Sequence, residues 1–400
     1  MKIIFVHNKA MWYRIPLFNG LANNLNIKFL FTDENKVENL EAEYEILKSY
    51  GVYPFNVAFA LIPRLIKKEY DIIVFPTPKE WINNIICFAI AKLRRKPYIV
   101  WSDRWICKKV KRPIFKKIYY RVDKMIIGYI CRHADACVTS GGTKQKEYFV
   151  SLGVPENRIF ISPFLSDIPS KSFDFKRLQQ KMKKIEKELG VENKKVILCV
   201  ARLIKRKGID YLIKAFAKLK KEIEDVSLVI VGGEDYPGLP KFMAKFSRGA
   251  EFYGTELKTL CQALSIIEDV HFVGYVKSED LPAYYLLCDL LVYPSIATSY
   301  ADAGCLSVSD AMYFGKPVIS TDVVGFAYDL IKNGVNGFIV PEKNVDALYE
   351  AIKKIVFDPE LRQKWGIESK RIIEEEFTYE HMIKGFKEAI EYANKNEWRY

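Results

Sequence analysis

The sequence predicts an α/β fold made of two successive doubly wound units, each with a parallel sheet covered by helices. Short continuous apolar runs alternate with helical segments, which is the pattern of strands buried on both faces. This alternation stops at a charged segment near the middle of the chain and then starts again. Half of the 400 residues are apolar, so two sizeable cores can form.

The first unit is predicted from five apolar strand runs and two helices. The strands cover 2–6, Ile27–Phe31, 71–75, 98–101 and 136–140, and the helices cover Ile15–Asn24 and Trp81–Leu93. A charged helix over 171–189 leads into the second unit. There the strands cover Lys195–Val200, 227–231, 270–273, Leu290–Tyr293, 317–320 and Gly337–Val340, with helices over 209–221, 346–357 and 379–394.

These elements predict four segments along the chain. They are an N-terminal Rossmann-like domain (1–165), a linker and helix (166–192), a C-terminal Rossmann-like domain (193–378) and a C-terminal helix (379–400) that packs back toward the N-terminal domain. Ligands of doubly wound sheets bind outside the carboxyl ends of the strands. If the two sheets face each other, that crevice lies between the domains.

The positive charge of the chain is concentrated in one segment. The formal net charge is +13, and residues 92–132 hold fourteen Lys or Arg and two acidic residues, a net of +12. Such a field favours anionic partners. Residues 112–132 mix these charges with apolar side chains at helical spacing, which suits an anionic membrane surface or, equally, a half-buried helix with a solvated basic face. Nothing resembling a nucleic-acid-binding motif accompanies them.

The cysteines and the apolar runs indicate in which cellular compartment the protein resides. Eight cysteines form no C-x-x-C pair, and the four histidines have no metal-ligand spacing, which favours buried reduced thiols in a cytoplasmic protein and no metal site. The first apolar run is too short for a signal peptide, and no run is long enough to span a bilayer. We therefore expect a cytoplasmic protein that associates, if at all, peripherally with the inner face of the membrane.

Three segments of the second unit could carry chemistry. In 200–210, Arg202 and Lys207 follow a strand and precede a helix, with Gly208 at the turn. Their side chains are suited to bind a phosphate. The alternative is an ordinary basic loop exposed to solvent. In 295–324, Asp302 precedes a helix and Asp310 lies within it. The first N–H groups of that helix favour an anion; the alternative is that Asp302 only caps the helix and Asp310 is an exposed side chain. In 270–275, a strand enters a glycine turn that could contact a flat base.

In this order, the segments resemble the retaining GT-B glycosyltransferases that use nucleotide-sugars, in particular the exopolysaccharide and lipid-linked-glycan type. That family has a G-R-L-x-x-x-K-G loop, a V-x-F-x-G-Y segment, a P-S pair and an E-x7-E block. Here they read Ala201–Gly208, Val270–Tyr275, Pro294-Ser295 and Asp302-x7-Asp310, and the tail 334–341 is similar too. Tyr13–Leu21 and Tyr148–Pro155 extend the resemblance into the N-terminal half.

The resemblance implies a role for each matching residue. Arg202 and Lys207 would hold the donor diphosphate, Asp310 the ribose hydroxyls and Asp302 the donor sugar. Backbone groups of Gly304, Cys305 and Leu306 would hold the distal phosphate, and Val273, Gly274 and Tyr275 would contact the base. The first loop (Lys9, Trp12 and Arg14) would serve the acceptor, and Asp103 matches the position of the catalytic histidine of the family.

Several positions depart from the family pattern. Both acidic positions carry Asp in place of Glu, Cys305 replaces a glycine, and Lys9–Arg14 stands where the first loop usually has Gly-Gly. The expected function is transfer of a sugar from a UDP- or GDP-sugar to a polysaccharide or lipid-linked oligosaccharide, without metal or cofactor. The alternatives are a sugar-phosphate-processing, phosphorylase-like enzyme and a degenerate protein that binds sugar nucleotides without turnover.

Overall fold

The protein is described by a computed structural model. The residues that it describes are 1–33, 37, 39–51, 56–77, 81–110, 114–166, 168, 173–233, 248–298 and 301–395. They fall into two compact units. Unit 1 contains 1–106, 112–167 and 377–400, and unit 2 contains 107–111 and 168–376.

Unit 1 is a seven-stranded parallel sheet with helices on its connections. In chain order its elements are β1 (Ile3–His7), α1 (Ile15–Asn24), β2 (Ile27–Phe31), β3 (Tyr44–Ile46), α2 (Leu61–Lys67), β4 (Ile72–Pro76), α3 (Trp81–Leu93), β5 (Tyr98–Ser102), α4 (Ile114–Arg132), β6 (Ala136–Thr139), α5 (Thr143–Ser151) and β7 (Ile159–Ile161). The strand order is β3-β2-β1-β4-β5-β6-β7, and every pair is parallel.

Unit 2 is a six-stranded parallel sheet. Its elements are α6 (Phe175–Leu189), β8 (Lys195–Val200), α7 (Ile209–Leu219), β9 (Val226–Val231), α8 (Arg248–Ala263), β10 (Val270–Gly274), α9 (Leu281–Leu287), β11 (Leu290–Tyr293), α10 (Leu306–Tyr313), β12 (Val318–Thr321), α11 (Ala327–Leu330), β13 (Gly337–Val340), α12 (Val345–Phe357) and α13 (Pro359–Glu376). The strand order is β10-β9-β8-β11-β12-β13, again with parallel pairs.

The chain returns to unit 1 with its last helix, α14 (Tyr379–Lys395). Phe386 is fully buried there, and its ring centroid lies 5.7 Å from that of Phe5 and 5.6 Å from that of Trp101. The hydroxyl of Ser162 donates to the backbone carbonyl of Met382 at 2.6 Å. The last helix therefore covers one face of the sheet of unit 1.

The predicted fold class is confirmed, because the chain forms two α/β units with parallel sheets. The sequence did not predict β3 and β7, which are three residues long and lie at the two edges of the sheet. The predicted helix 171–189 begins at Phe175, where the Asp174 side chain accepts a hydrogen bond from the N–H of Arg177. Residues 171 and 172, and residues 167, 169 and 170 of the predicted linker, lie outside the described residues.

Candidate functional site

Two loops of unit 2 lie where the strand order of its sheet reverses. β8 pairs with β9 on one side and β11 on the other, so the loops that leave β8 and β11 start next to each other. The first loop covers 201–208, and the second covers 294–305, of which 299 and 300 lie outside the described residues. A ligand of a doubly wound sheet binds at this kind of position.

Gly208 allows the two loops to approach each other closely. Its φ is +62°, and a β-carbon built on it would lie 2.1 Å from the carbonyl oxygen of Pro294. The N–H of Ile296 donates to the carbonyl oxygen of Arg206 at 2.8 Å. Only glycine fits this left-handed position against a backbone carbonyl.

The side chains of these loops form a buried charged cluster. Lys207 Nζ lies 2.8 Å from Asp302 Oδ2, and Arg206 pairs with Asp302 Oδ1. The hydroxyls of Tyr293 and Ser295 donate to Asp302 Oδ2 at 3.1 and 2.6 Å, while Lys207 donates to the Tyr293 hydroxyl. About a tenth of each charged side chain is exposed, so these ion pairs are poorly screened by water.

The cluster carries more positive than negative charge around Lys207. Burial lowers the pKa of the Lys207 ammonium well below its ordinary value, and the guanidiniums of Arg206 and Arg202 lower it further. Two cationic side chains, Arg206 and Lys207, thus share the single carboxylate of Asp302. This excess of positive charge is an environment that favours a multivalent anion.

The structure distinguishes among the basic residues of the first loop. Lys207, predicted to bind phosphate, is buried in the cluster, whereas Arg202 lies on the same loop with an exposed side chain. Arg206 was not predicted and pairs directly with Asp302. Its signal in the sequence is its place in the run 205–207, but three consecutive basic residues do not reveal which of them point inward.

The helix that follows the second loop begins at Leu306. Cys305 is buried, so its thiol points into the protein, and a β-carbon on Gly304 would meet nothing within 4 Å. The first N–H groups of an α-helix have no partner within the helix, and they form its positive end. The predicted backbone site at 304–306 therefore lies on the same loop as Asp302.

Asp310 lies inside α10 and is buried. The Tyr285 hydroxyl donates to Asp310 Oδ2 at 3.3 Å, and burial together with this carboxylate raises the pKa of Tyr285. The alternative reading of Asp310 as an exposed side chain is therefore wrong. Its burial and its hydrogen bond fix the orientation of the carboxylate.

The predicted base-contact segment lies at the end of β10. Gly274 has φ +82°, and its carbonyl oxygen accepts a hydrogen bond from the N–H of Gly232 at 2.8 Å. Val273 is partly buried, and the side chain of Tyr275 is 54% exposed. The segment thus presents backbone and one aromatic ring at an open edge of unit 2.

A polar cavity of about 240 Å³ lies in unit 1, where loops leave β1 and β5. The predicted residues Lys9, Arg14 and Asp103 all line it. Asp103 is about half exposed, and its carboxylate lies 4.0 Å from Arg14 Nη2, while Lys9 Nζ lies 3.8 Å from Asp33. Trp12 belongs to the same loop, and its side chain lies outside the described residues.

His7 lines the same cavity and was not predicted as a site residue. Arg14 donates to His7 Nε2, so the ring proton belongs on Nδ1, which lies 3.0 Å from the carbonyl oxygen of Lys9. Burial and the Arg14 guanidinium lower the pKa of His7 well below its ordinary value, and the ring is therefore neutral at neutral pH. A single buried residue at a strand end gives no signal in the sequence.

Part of the chain matches a known protein family. Residues 180–372 match the model of the family described as glycosyl transferases group 1. This segment of the chain therefore resembles the group 1 glycosyl transferases. It contains the whole charged cluster of Arg206, Lys207 and Asp302.

Two curated glycosyltransferases are similar to this chain over nearly its whole length. An uncharacterized glycosyltransferase of Methanocaldococcus jannaschii is 25% identical, with 95% of this chain and 96% of the relative covered. The capsular polysaccharide biosynthesis glycosyltransferase CapM of Staphylococcus aureus is also 25% identical, with 91% and 90% covered. The similarity to both proteins therefore extends over both units of this chain.

Solved structures have the same fold. Anabaena HepE in complex with UDP matches with a TM-score of 0.76 at 18% identity, and 98% of this chain and 100% of that chain are covered. WaaG, a glycosyltransferase involved in lipopolysaccharide biosynthesis, matches with a TM-score of 0.58 at 16% identity, with 96% and 98% covered. The fold class of the chain is therefore GT-B.

Two further features concern metals and membranes. Within the described ranges, no three His, Cys, Asp or Glu side chains are grouped so that they could hold a metal ion. Among the helices that the structure describes, none is both long enough and apolar enough to cross a bilayer.

Proposed function

We propose that the protein is a group 1 glycosyltransferase that moves a hexose from a UDP- or GDP-sugar to a polysaccharide or lipid-linked oligosaccharide, with retention of the anomeric configuration and without a metal ion. The observation that carries the proposal is the buried cluster of Arg206, Lys207 and Asp302 at the switch point of unit 2. It combines an excess of positive charge with a helix N-terminus on the same loop, as a diphosphate requires.

The relatives support the choice of donor and acceptor. HepE has been solved with UDP and with UDP-glucose, and CapM is named for capsular polysaccharide biosynthesis. A mannosyltransferase of Mycolicibacterium smegmatis, 26% identical over 46% of this chain, is named for GDP-mannose and a phosphatidylinositol monomannoside. These names leave both bases and both kinds of acceptor open for this chain.

In the proposed reaction, the leaving diphosphate is the group that most needs stabilisation. The bond from the anomeric carbon to the phosphate oxygen breaks, and negative charge grows on that oxygen. Arg206 and Lys207 supply fixed positive charge, with Arg202 at the exposed side of the loop, and preorganised charge of this kind is the main way in which such a step is accelerated. Asp310 takes the ribose hydroxyls, and 273–275 contact the base.

The acceptor is assigned to the cavity of unit 1. Lys9, Arg14 and the acidic Asp103 line it, and Trp12 lies on the same loop as Lys9 and Arg14. The neutral His7 ring accepts from Arg14 and so orients the guanidinium. Attack of the acceptor hydroxyl on the face that the diphosphate leaves gives retention, and a phosphate oxygen takes the proton.

A panel of UDP- and GDP-sugars tests the proposal, because the three consecutive basic residues of the loop provide matched variants. Arg206→Met and Lys207→Met should each lower donor consumption by about a hundredfold, since each removes charge at the leaving group. Lys205→Met is the control, because its ammonium pairs with Glu256 on the exposed side, 2.8 Å away, and it should stay near wild type. Equal losses in all three variants would show that the assignment is wrong.

The same panel separates transfer from binding alone. A protein that binds nucleoside diphosphates through Lys207 and consumes no donor would be a sugar-nucleotide-binding protein without turnover. The Asp residues at both acidic positions motivate this second candidate, because each carboxylate is one methylene shorter than the Glu of the family.

We also propose that unit 1 binds the surface of an anionic membrane, where a lipid-linked acceptor would lie. The helix α4 exposes an apolar stripe, Ile118, Val122, Met125 and Tyr129, at spacings of four, three and four residues. Met125 is 72% exposed, and the cationic side chains of Arg121 and Lys124 are exposed beside the stripe. Exposed apolar and basic side chains on one helix suit a lipid interface.

Neighbouring residues extend this surface. The ring of Tyr129 lies 5.9 Å from that of Phe88 on α3, a helix that exposes Ile85 and Leu93. On the opposite side of α4, Ile127 and Ile130 are buried in unit 1. One side of the helix therefore packs in the core, and the other side is exposed. Residues 111–113, and the side chains of 114–117 and 119, lie outside the described residues.

Sedimentation with vesicles tests this surface. Arg121→Glu with Lys124→Glu should weaken binding to anionic vesicles at least about tenfold, since each basic residue near such a surface contributes about 1 kcal/mol. Met125→Ser should weaken it at high salt as well, because the apolar contribution is not screened. The control is Lys184→Glu with Lys370→Glu, on exposed helices of unit 2. Wild-type protein that fails to sediment at low salt would contradict the proposal.

A further inference from the structure

Asp302 is engaged by the same groups that the proposed function assigns to the donor diphosphate. Its Oδ1 pairs with Arg206, and its Oδ2 accepts from Lys207 at 2.8 Å. The hydroxyls of Ser295 and Tyr293 donate to Oδ2 at 2.6 and 3.1 Å. One carboxylate therefore accepts hydrogen bonds from four side chains.

A carboxylate and a phosphate compete for such donors. Both offer anionic oxygens to Arg and Lys, and both form short charge-assisted hydrogen bonds. A diphosphate that binds Arg206 and Lys207 must therefore replace Asp302 as their partner or share them with it. Because the cluster is largely buried, this competition takes place with little screening by water.

The backbone of Asp302 is held independently of its side chain. The N–H of Gly325 donates to its carbonyl oxygen at 2.9 Å, and the residue forms a parallel bridge with Val324. The side chain has only two torsions, so the carboxylate can leave the cations by rotation while the loop stays in place. An Asp brings its carboxylate closer to its own backbone than a Glu does.

We propose that Asp302 is an internal counterion that neutralises Arg206 and Lys207 until the donor diphosphate takes its place, and that it thereby limits how tightly the diphosphate is held. The inference rests on the proposed function, and it assigns Asp302 a positioning role in addition to the predicted contact with the donor sugar. It also gives a reason for product release, because the carboxylate returns to the cations as the nucleoside diphosphate leaves.

Inorganic pyrophosphate is the probe, since it has the diphosphate but neither base nor sugar. Asp302→Asn should bind pyrophosphate about tenfold more tightly than wild type, because it removes the competing charge at the same size. Asp302→Glu keeps the charge and should stay near the wild-type affinity. Glu256→Gln removes an equal charge from the exposed pair with Lys205 and is the control; it should change the affinity little.

Ser295→Ala tests the inference without changing any charge. It removes one of the donors that hold the Asp302 carboxylate, so a smaller gain in pyrophosphate affinity, about twofold to threefold, is expected. This variant decides the question if Asp302→Asn does not fold. Either variant, folded and binding pyrophosphate no more tightly than wild type, overturns the inference.

The outcomes separate this inference from the proposed function. Wild-type protein that binds pyrophosphate through Lys207, with no effect of Asp302, contradicts only the internal counterion. Wild-type protein that binds neither pyrophosphate nor any nucleoside diphosphate contradicts the phosphate site and the counterion together. Tighter pyrophosphate binding by Asp302→Asn, with stronger inhibition by the nucleoside diphosphate product, supports both.

Discussion

At the scale of single residues, Lys207 is the most informative side chain of the molecule. It contacts Asp302 and Tyr293, and its burial, together with the nearby guanidiniums, lowers its pKa. A diphosphate would bring negative charge to this ammonium and so raise the pKa again. Binding of the nucleotide should therefore be coupled to the protonation of Lys207.

This coupling has a defined sign. At a pH between the lowered pKa of the free protein and the raised pKa of the complex, each bound diphosphate takes up a proton, so its affinity falls as the pH rises through that window. Calorimetry of UDP and GDP binding in buffers with different ionisation enthalpies measures the uptake. Lys207→Met should abolish it, and wild-type binding without any uptake in the neutral to alkaline range would contradict the assignment.

Some of the site could be predicted from the sequence, and the rest depends on how side chains point. The sequence predicts Lys207 and Asp302 for the candidate site because a strand–loop–helix setting brings such residues to the carboxyl edge of a sheet. Arg206 was missed because a run of three basic residues has no periodicity that separates inward from outward. The contact between Asp302 and Lys207, 95 positions apart in the chain, follows from the reversal in strand order, which no local pattern encodes.

At the scale of elements, a buried ion pair connects the loop after β5 with α4. Arg104 pairs with Asp123, whose side chain is 2% exposed, and Arg104 Nη1 also lies 3.4 Å from the Tyr148 hydroxyl. Asp123 is one of the two acidic residues in the basic segment 92–132. It therefore neutralises Arg104 inside unit 1, whereas Arg121 and Lys124 of α4 are exposed.

Loss of this pair should destabilise unit 1. Asp123→Ala should lower the free energy of unfolding by about 3 kcal/mol, because it leaves the Arg104 guanidinium buried without its counterion. Urea denaturation gives the value. Glu147→Ala, which removes an exposed pair with Lys144, should cost less than about 1 kcal/mol. If Asp123→Ala and Glu147→Ala lose the same stability, the pair of Arg104 and Asp123 does not stabilise the packing of α4.

The elements themselves were predictable to different degrees. Strands such as β1 and β5 are buried at every position, and a continuous apolar run in the sequence reflects this directly. β3 has exposed ends and a polar centre, Tyr44 to Ile46, so it pairs at the edge of the sheet without an apolar signature. Edge strands of three residues depend on a neighbouring strand and not on their own composition.

At the scale of the whole molecule, the chain crosses to unit 2 and returns, and its last helix completes the core of unit 1. Phe386 packs on Phe5 and Trp101, and Tyr379 donates to the backbone carbonyl of Pro16. Trp101 lines the cavity of unit 1 together with Asp103. The stability of that cavity therefore depends on the last helix.

Phe386→Ala should lower the stability of unit 1 by about 4 kcal/mol, the cost of a large cavity in a packed core. Hydrogen exchange followed by peptide should show faster exchange in β1 and β5, while β8 and β11 of unit 2 keep their protection. Phe357→Ala, at a half-exposed ring on α12, is the size-matched control with little effect. Equal loss of protection in both units would contradict this division of the core.

A crystal structure with bound UDP or GDP would show directly whether the buried cluster binds the diphosphate. We expect the diphosphate within hydrogen-bonding distance of Lys207 Nζ and the Arg206 guanidinium, next to the N-terminus of α10. The Asp302 carboxylate should then have moved away from at least one of the two cations. A nucleotide bound elsewhere, with the contacts between Asp302, Arg206 and Lys207 intact, would contradict it.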